Sequence, residues 1–167
     1  MKKIMCAMMF VVMLVTMNSC SADDSAEATN NSTTTGTLIT NYAYNDSEIE
    51  TMKLINDYRV SIGLNALEKI NHISFKCEEH NKYMIANNVV DHNDFTSRSD
   101  NIIAVLGAKK VGENVAYNYK TSEAALKAWL DSPGHKANIE GDYTHFGLSV
   151  TTDATGKKYY TNIFAKI

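Results

Sequence analysis

Polar and apolar positions change rhythm along the chain, and the changes mark its segments. After Lys2 and Lys3, residues 4–17 are almost wholly apolar. Residues 21–45 then run through Ser, Thr, Asn and Asp, with Thr33-Thr34-Thr35 among them and few apolar positions. From residue 47 the apolar residues space out at threes and fours. Ile49, Met52, Ile55, Tyr58 and Ile62 predict one face of a helix, closed by Gly63. Ser47-Glu48-Ile49-Glu50 reads as its capping box, with Ser47 at the N-cap and Glu50 reaching back. Ile73, Cys77, His80 and Met84 form the stripe of a second helix over 70–88, broken at Asn87-Asn88. Ser97 caps a short helix through Leu106, ended by Gly107. Residues 110–117 are too short and too branched for a helix and read as a strand or extended loop. Thr121 or Ser122 caps the next helix, with Ala125, Leu126, Trp129 and Leu130 facing inward and Glu123 favourable to its dipole. Pro133 stops that helix and starts a short turn with Ser132 as N-cap.

The rhythm then shifts to two. Phe146, Leu148 and Val150 alternate with Gly147, Ser149 and Thr151, as a half-buried strand should. Residues 153–157 make a hairpin loop around Gly156, and 159–167 return as a strand. Helices early and a hairpin late predict an α+β fold, with helices packed on a small antiparallel sheet.

The start of the chain changes the picture of where this fold works. A basic n-region and a short apolar run read as a signal peptide over 1–19 and not as a membrane span. Ser19-Cys20 resembles a bacterial lipoprotein signal, although Met17 and Asn18 sit where Leu or Val and a small residue are usual. Lipidation of Cys20 would tether the domain to a membrane, and an ordinary secreted form is the alternative. Residues 20–46 read as a flexible polar tether and 47–167 as the folded domain. Asp23 and Asp24, just past Cys20, read first as part of a solvated linker; they also resemble the acidic tags of surface-exposed lipoproteins, which would imply an outer-membrane or cell-surface address.

Charge and cysteine content narrow the rest. Losing Lys2 and Lys3 with the leader leaves 14 basic against 19 acidic residues. An acidic surface argues against a nucleic-acid partner, since phosphate binding needs a basic face. Cys77 is the single cysteine of the folded part, so no disulfide can form within it and an apolar core must hold it. The Cys77 position on a helical stripe reads as a small buried hydrophobe.

Candidate chemistry gathers in three blocks between residues 91 and 139: Asp91-His92-Asn93-Asp94-Phe95, Val111-Gly112-Glu113-Asn114-Val115, and Trp129-Leu130-Asp131-Ser132-Pro133-Gly134-His135-Lys136-Ala137-Asn138. Each contributes one residue able to bind a metal or move a proton: His92, Glu113 and His135. These blocks resemble the CAP superfamily, also called the SCP or PR-1-like domain, in its bacterial branch. The likeness runs from about Ser47 to Ile167, and Asn56-Asp57-Tyr58-Arg59 through Gly63-Leu64-Asn65-Ala66-Leu67 resembles the exit of that family's first helix. It implies an α-β-α sandwich in which His92, Glu113 and His135 converge in a cleft. There the two histidines could hold zinc or another divalent cation, with Glu113 as orienter of a histidine or as general base. Asn114 is expected to fix its loop. His80 is read first as a core histidine with a hydrogen-bonded ring, and second as a border of the His92 site. Many eukaryotic members carry a second Glu three residues after the Trp; Ser132 stands there, so two-carboxylate chemistry is incomplete. No Gly-x-Ser-x-Gly, His-Glu-x-x-His or Ser-x-x-Lys pattern names a nucleophile. His145 reads as a surface or packing residue. The expected function is therefore a tethered binding domain for a small molecule, lipid, glycan or protein. The alternative is a metal-dependent hydrolase or peptidase of the cell envelope.

Overall fold

A computed structural model describes residues 36–167. The leader and Cys20 lie outside those residues. The elements are α1 (Asp46–Ser61), β1 (Glu68–Lys69), α2 (Asn71–Asn87), α3 (Phe95–Leu106), β2 (Lys110–Tyr117), α4 (Ser122–Asp131), α5 (Pro133–Ile139), β3 (His145–Thr152) and β4 (Lys158–Lys166). The four strands form one sheet in the order β1-β3-β4-β2. Its two long pairs, β3/β4 and β2/β4, are antiparallel, but the short β1 runs parallel to β3. The sheet is thus mixed, where the sequence predicts an antiparallel one. A two-residue strand carries no readable pattern, and its partner β3 lies more than seventy residues further along the chain.

Helices cover both faces, giving the expected α-β-α layering. The central strand β4 divides its side chains by the period of two. Tyr160 and Phe164 enter one core with Met52 and Ile55 of α1, Trp129 of α4 and Ile139 of α5. Ile163 and Ala165 enter the other with Ile73 and Cys77 of α2 and Ile102 of α3. β3 does the same, so its small residues do not face solvent as the alternation suggests. A Cβ at Gly147 would overlap the backbone of Ile73 and Ser74 at the start of α2. The Ser149 carbonyl accepts from Asn81 Nδ2 at 2.9 Å, and Asn81 Oδ1 accepts from Thr161 Oγ1 at 2.7 Å. Small and polar residues there let α2 lie close to the sheet while satisfying its buried polar groups.

The amino-terminal helix departs from its apolar pattern. Ile49 and Ile62 are exposed, while Glu48 and Arg59 are buried beside Met52 and Ile55. The capping box is built by Asn45 and Glu48, two residues earlier than Ser47 and Glu50. Glu48 reaches further than a cap needs: its Oε1 accepts from the Val150 amide and from Tyr42 Oη, each at 2.9 Å. Arg59 donates to the carbonyls of Ile139 at 2.6 Å and Gly141 at 2.9 Å, closing the end of α5 onto α1. Buried charges are tolerated where such bonds satisfy them.

Residues 36–45, which the composition assigns to the tether, lie against the domain. Tyr44 Oη donates to Asn71 Oδ1 at 3.0 Å, the Ile39 amide donates to His72 Nδ1 at 3.2 Å, and Asn71 Nδ2 donates to the Thr40 carbonyl at 2.6 Å. The segment mixes Thr and Asn with Leu38, Ile39 and two tyrosines, and its tyrosine hydroxyls and backbone supply the anchorage.

Candidate functional site

The site is organised by three consecutive residues of the edge strand β2. Gly112 is packed beneath Tyr143 and Asn138, and a Cβ there would lie 2.5 Å from Tyr143 Oη and 2.9 Å from Asn138 Oδ1. Only a glycine lets this corner approach the strand so closely. Glu113 and Asn114 then point to opposite faces of the sheet.

On one face, Glu113 is buried and takes three hydrogen bonds. Its Oε1 lies 2.8 Å from His92 Nδ1 and accepts from Arg98 Nη2 at 2.8 Å; its Oε2 accepts from Arg98 Nε at 2.9 Å. The Arg98 fork also donates through Nη1 to the Asn93 carbonyl at 2.7 Å, which fixes the loop carrying His92. Burial would push the Glu113 carboxyl up, but the bonds from His92 and Arg98 and the guanidinium charge outweigh it and hold it below the ordinary carboxylate range. An ionised Glu113 can only accept, so His92 Nδ1 carries the proton and its Nε2 is the ring's available lone pair. The His92 side chain is half exposed and the Glu113 side chain almost fully covered.

His80 secures the same loop from behind. Its Nε2 lies 2.8 Å from the Asp91 carbonyl, so that nitrogen donates, and its Nδ1 is left buried without a partner. Burial lowers its pKa, the Asp91 bond offsets part of this, and the Arg98 charge lowers it further. His80 is both a member of the α2 stripe and a neighbour of the His92 loop.

On the other face, Asn114 holds the segment bearing His135. Its Nδ2 donates to the His135 carbonyl at 3.0 Å, and its Oδ1 accepts from Asn138 Nδ2 at 2.8 Å. Asn138 Nδ2 also donates to the Glu113 carbonyl at 3.1 Å. Burial, and then the charge of His92, lowers the His135 pKa, so its ring stays neutral to lower pH than a free histidine. Ser132 sits at the N-cap of α5 without a side-chain cap bond. Ser132 and His135 line a groove of about 340 Å³ together with Val90, Val115, Ala116, Tyr117, Tyr119, Ala128 and Trp129. Trp129 Nε1 donates to the Val115 carbonyl at 3.0 Å, fixing part of the groove lining.

The structure therefore brings His92 and Glu113 into direct contact and places His135 across the strand edge from them. Among the described residues no group of three His, Cys, Asp or Glu side chains is gathered closely enough to hold a metal ion. Both Glu113 oxygens are engaged, so the imidazoles of His92 and His135 are the donors free to meet a cation. The residue that sequence reasoning passed over is Arg98. It sits fifteen positions before Glu113 on a different element, and no local pattern points to the pair.

Fold and site together define a three-layer domain of the SCP type, with its histidines hung from the two faces of one edge strand. The chain belongs to the CAP family, the cysteine-rich secretory protein family, which it matches over residues 52–164. It is 36% identical over 124 residues to an uncharacterized membrane protein of Bacillus subtilis (strain 168), YlbC, covering 72% of this chain and 34% of that one. The chain thus spans about a third of the length of that curated relative. An extracellular protein containing an SCP domain from Bacillus anthracis superposes with a TM-score of 0.64 at 28% identity, covering 72% of this chain and 40% of that one. An outer surface protein from Borrelia burgdorferi gives a TM-score of 0.66 over 77% of this chain and 98% of its own. At 18% identity that second likeness is one of fold.

Proposed function

We propose that this chain is an exported ligand-binding domain, held at a cell envelope through Cys20, whose groove takes an organic ligand with its polar end toward His135 and His92. The engagement of both Glu113 oxygens by Arg98 and His92 is the observation that carries the reading. A carboxylate so occupied orients a histidine and is poorly placed to take a proton from water. The groove is lined mainly by aromatic and apolar residues with Ser132 and His135 among them, as small-ligand clefts generally are. A lipid, a glycan or a segment of another protein offers the matching apolar surface. Relatives described as extracellular, outer-surface or membrane proteins support the exported address. Cys20→Ala should shift the domain from the membrane to the soluble fraction; unchanged fractionation would remove the lipid anchor from the reading.

A divalent ion such as zinc would take His92 Nε2 and His135, with Glu113 keeping the His92 ring turned toward it. Protons compete for neutral imidazoles, so zinc affinity should fall on acidification. In calorimetric titrations at neutral and mildly acidic pH, His92→Ala and His135→Ala should each abolish most of the binding, and the double change should add little. Binding that ignores pH, or survives either substitution, would leave the cleft a purely organic site. The carboxylate-backed His92 also favours a second reading, a metal-dependent hydrolase. Metal-dependent turnover of peptides, peptidoglycan fragments or esters, lost in His92→Ala, would establish that reading over the first.

A further inference from the structure

We infer that the end of the domain opposite the groove is a docking face for an anionic membrane surface. Four chain segments meet there. β1 and β3 start at this end and β4 finishes there, since Glu68 pairs with His145 and His145 with Ala165; β2 starts there, with Lys110 opposite Lys166. The Lys109 amide donates to the Lys166 carbonyl at 2.7 Å, so the exit of α3 belongs to the same end.

Two properties coincide on it. The first is exposed apolar area: Leu38, Ile103 and Ile167 are 49%, 42% and 37% exposed. Leu38 and Leu106 flank a groove that Lys69 borders. Ile103 lies one helical turn before Leu106, on the same side of α3. The second is positive charge. Lys69, Lys109, Lys110 and Lys166 stand here against Glu68, Asp142 and the terminal carboxylate of Ile167, and Asp142 is already paired with Lys166 at 2.6 Å. The chain as a whole carries a formal charge of −3, so this end runs against the balance of the molecule. Asp91 and Asp94 stand at the other end of α3, whose 12 residues separate the two ends by roughly 18 Å. An anionic bilayer attracts the lysine end and repels the aspartate end, so charge and exposed apolar area favour the same orientation.

The entry of the chain agrees. Gly36, the first described residue, lies against Asn101 and Val105 of α3, on the helix that carries Ile103 and Leu106. No helix among the described residues is long and apolar enough to cross a membrane, which makes the contact a peripheral one. Apolar side chains ringed by lysines suit the headgroup boundary, where the first enter the acyl region and the second meet phosphate. The eight residues of β2 then carry Tyr117 and the groove roughly 23 Å away from the lipid. Docking would hold the binding cleft outward.

The test is amine footprinting of the full-length chain reconstituted in vesicles of equal phosphatidylglycerol and phosphatidylcholine, compared with phosphatidylcholine alone. On the anionic vesicles acetylation of Lys109 and Lys110 should slow by at least about fivefold. Lys120 and Lys157, beside the groove, should react at the same rate on both. About 0.5 M salt should restore the lost reactivity, as screening requires. Leu38→Asp with Ile103→Asp should abolish the protection while leaving the thermal midpoint in place, since both positions are exposed. Equal labelling of Lys109 and Lys110 on the two vesicles overturns the inference. So does protection of Lys120 and Lys157 in their stead, which would put the groove against the lipid.

Discussion

Replacing Arg98 by methionine isolates what holds the site together. Methionine keeps much of the side-chain volume and removes the fork that gives Glu113 two hydrogen bonds and the Asn93 carbonyl one. The Arg98 and Glu113 side chains are only 10% and 1% exposed, so solvent cannot take over those bonds. Removing one partner of a buried pair strands the other, at a cost of about 3–5 kcal/mol. For a domain of this size that lowers the thermal midpoint by roughly 10 °C or more. The pH dependence supplies a second signature. In the parent protein Glu113 titrates below its unfolded value, so its stabilisation is present above the unfolded carboxylate range and fades as pH falls through the folded one. Without Arg98, burial still pushes the carboxyl up while two of the influences holding it down are gone, so its folded pKa rises. The variant should then lose least at acidic pH, where Glu113 can be neutral, and most at neutral pH. Urea unfolding at pH 5 and pH 7.5 reads both effects, and Arg98→Met with Glu113→Leu should recover about half of the loss or more. A loss under about 1 kcal/mol at pH 7.5, or strict additivity in the double variant, would refute the reasoning.

Two further outcomes follow from the packing. Trp129→Ala should cost about 3–5 kcal/mol, since a fully buried aromatic and its bond to the Val115 carbonyl are both lost; an unchanged denaturation midpoint would mean the groove lining refills on its own. A chain beginning at residue 47 should be less stable than one beginning at 36, because Asn45, Tyr42 and Tyr44 cap α1 and bond to α2 and β3. Equal midpoints in a paired urea titration would return residues 36–45 to the tether.

The legible parts of this chain were those whose physics is local. The α2 stripe, the Thr121 cap, the stop at Pro133 and the 110–117 strand could be read from periodicity and turn chemistry. So could the inward Trp129. The amino-terminal helix resisted because two capping boxes overlap there. Ser47–Glu50 and Asn45–Glu48 fit the same rule, and Glu48 prevails because its carboxylate also reaches the Val150 amide, 102 residues away. The apolar spacing of α1 misled for a related reason: the buried face is completed by Glu48 and Arg59, whose partners are distant backbone groups. The β3 face of Gly147 and Ser149 looked solvated because small polar residues suit close helix contact as well as they suit water. At the site, His92, Glu113, His135 and Asn114 announced themselves through their motifs. The division of Glu113 and Asn114 between opposite faces, and the presence of Arg98, depend on tertiary placement that no spacing rule encodes.

Cys77 sits fully buried between α2 and β3, with its thiol pushed well up by burial and its Sγ 3.4 Å from the Gly147 carbonyl. No other cysteine lies within residues 36–167. The folded domain therefore carries its own clock. A thiol reagent can reach Cys77 only when α2 lifts from the sheet, so the labelling rate under native conditions counts those openings one by one. No dye needs to be engineered in, and no bridge has to be formed oxidatively for the domain to fold. Slowed labelling on adding a candidate ligand would report occupancy of the cleft from the far side of β4, without any assay of what the cleft does.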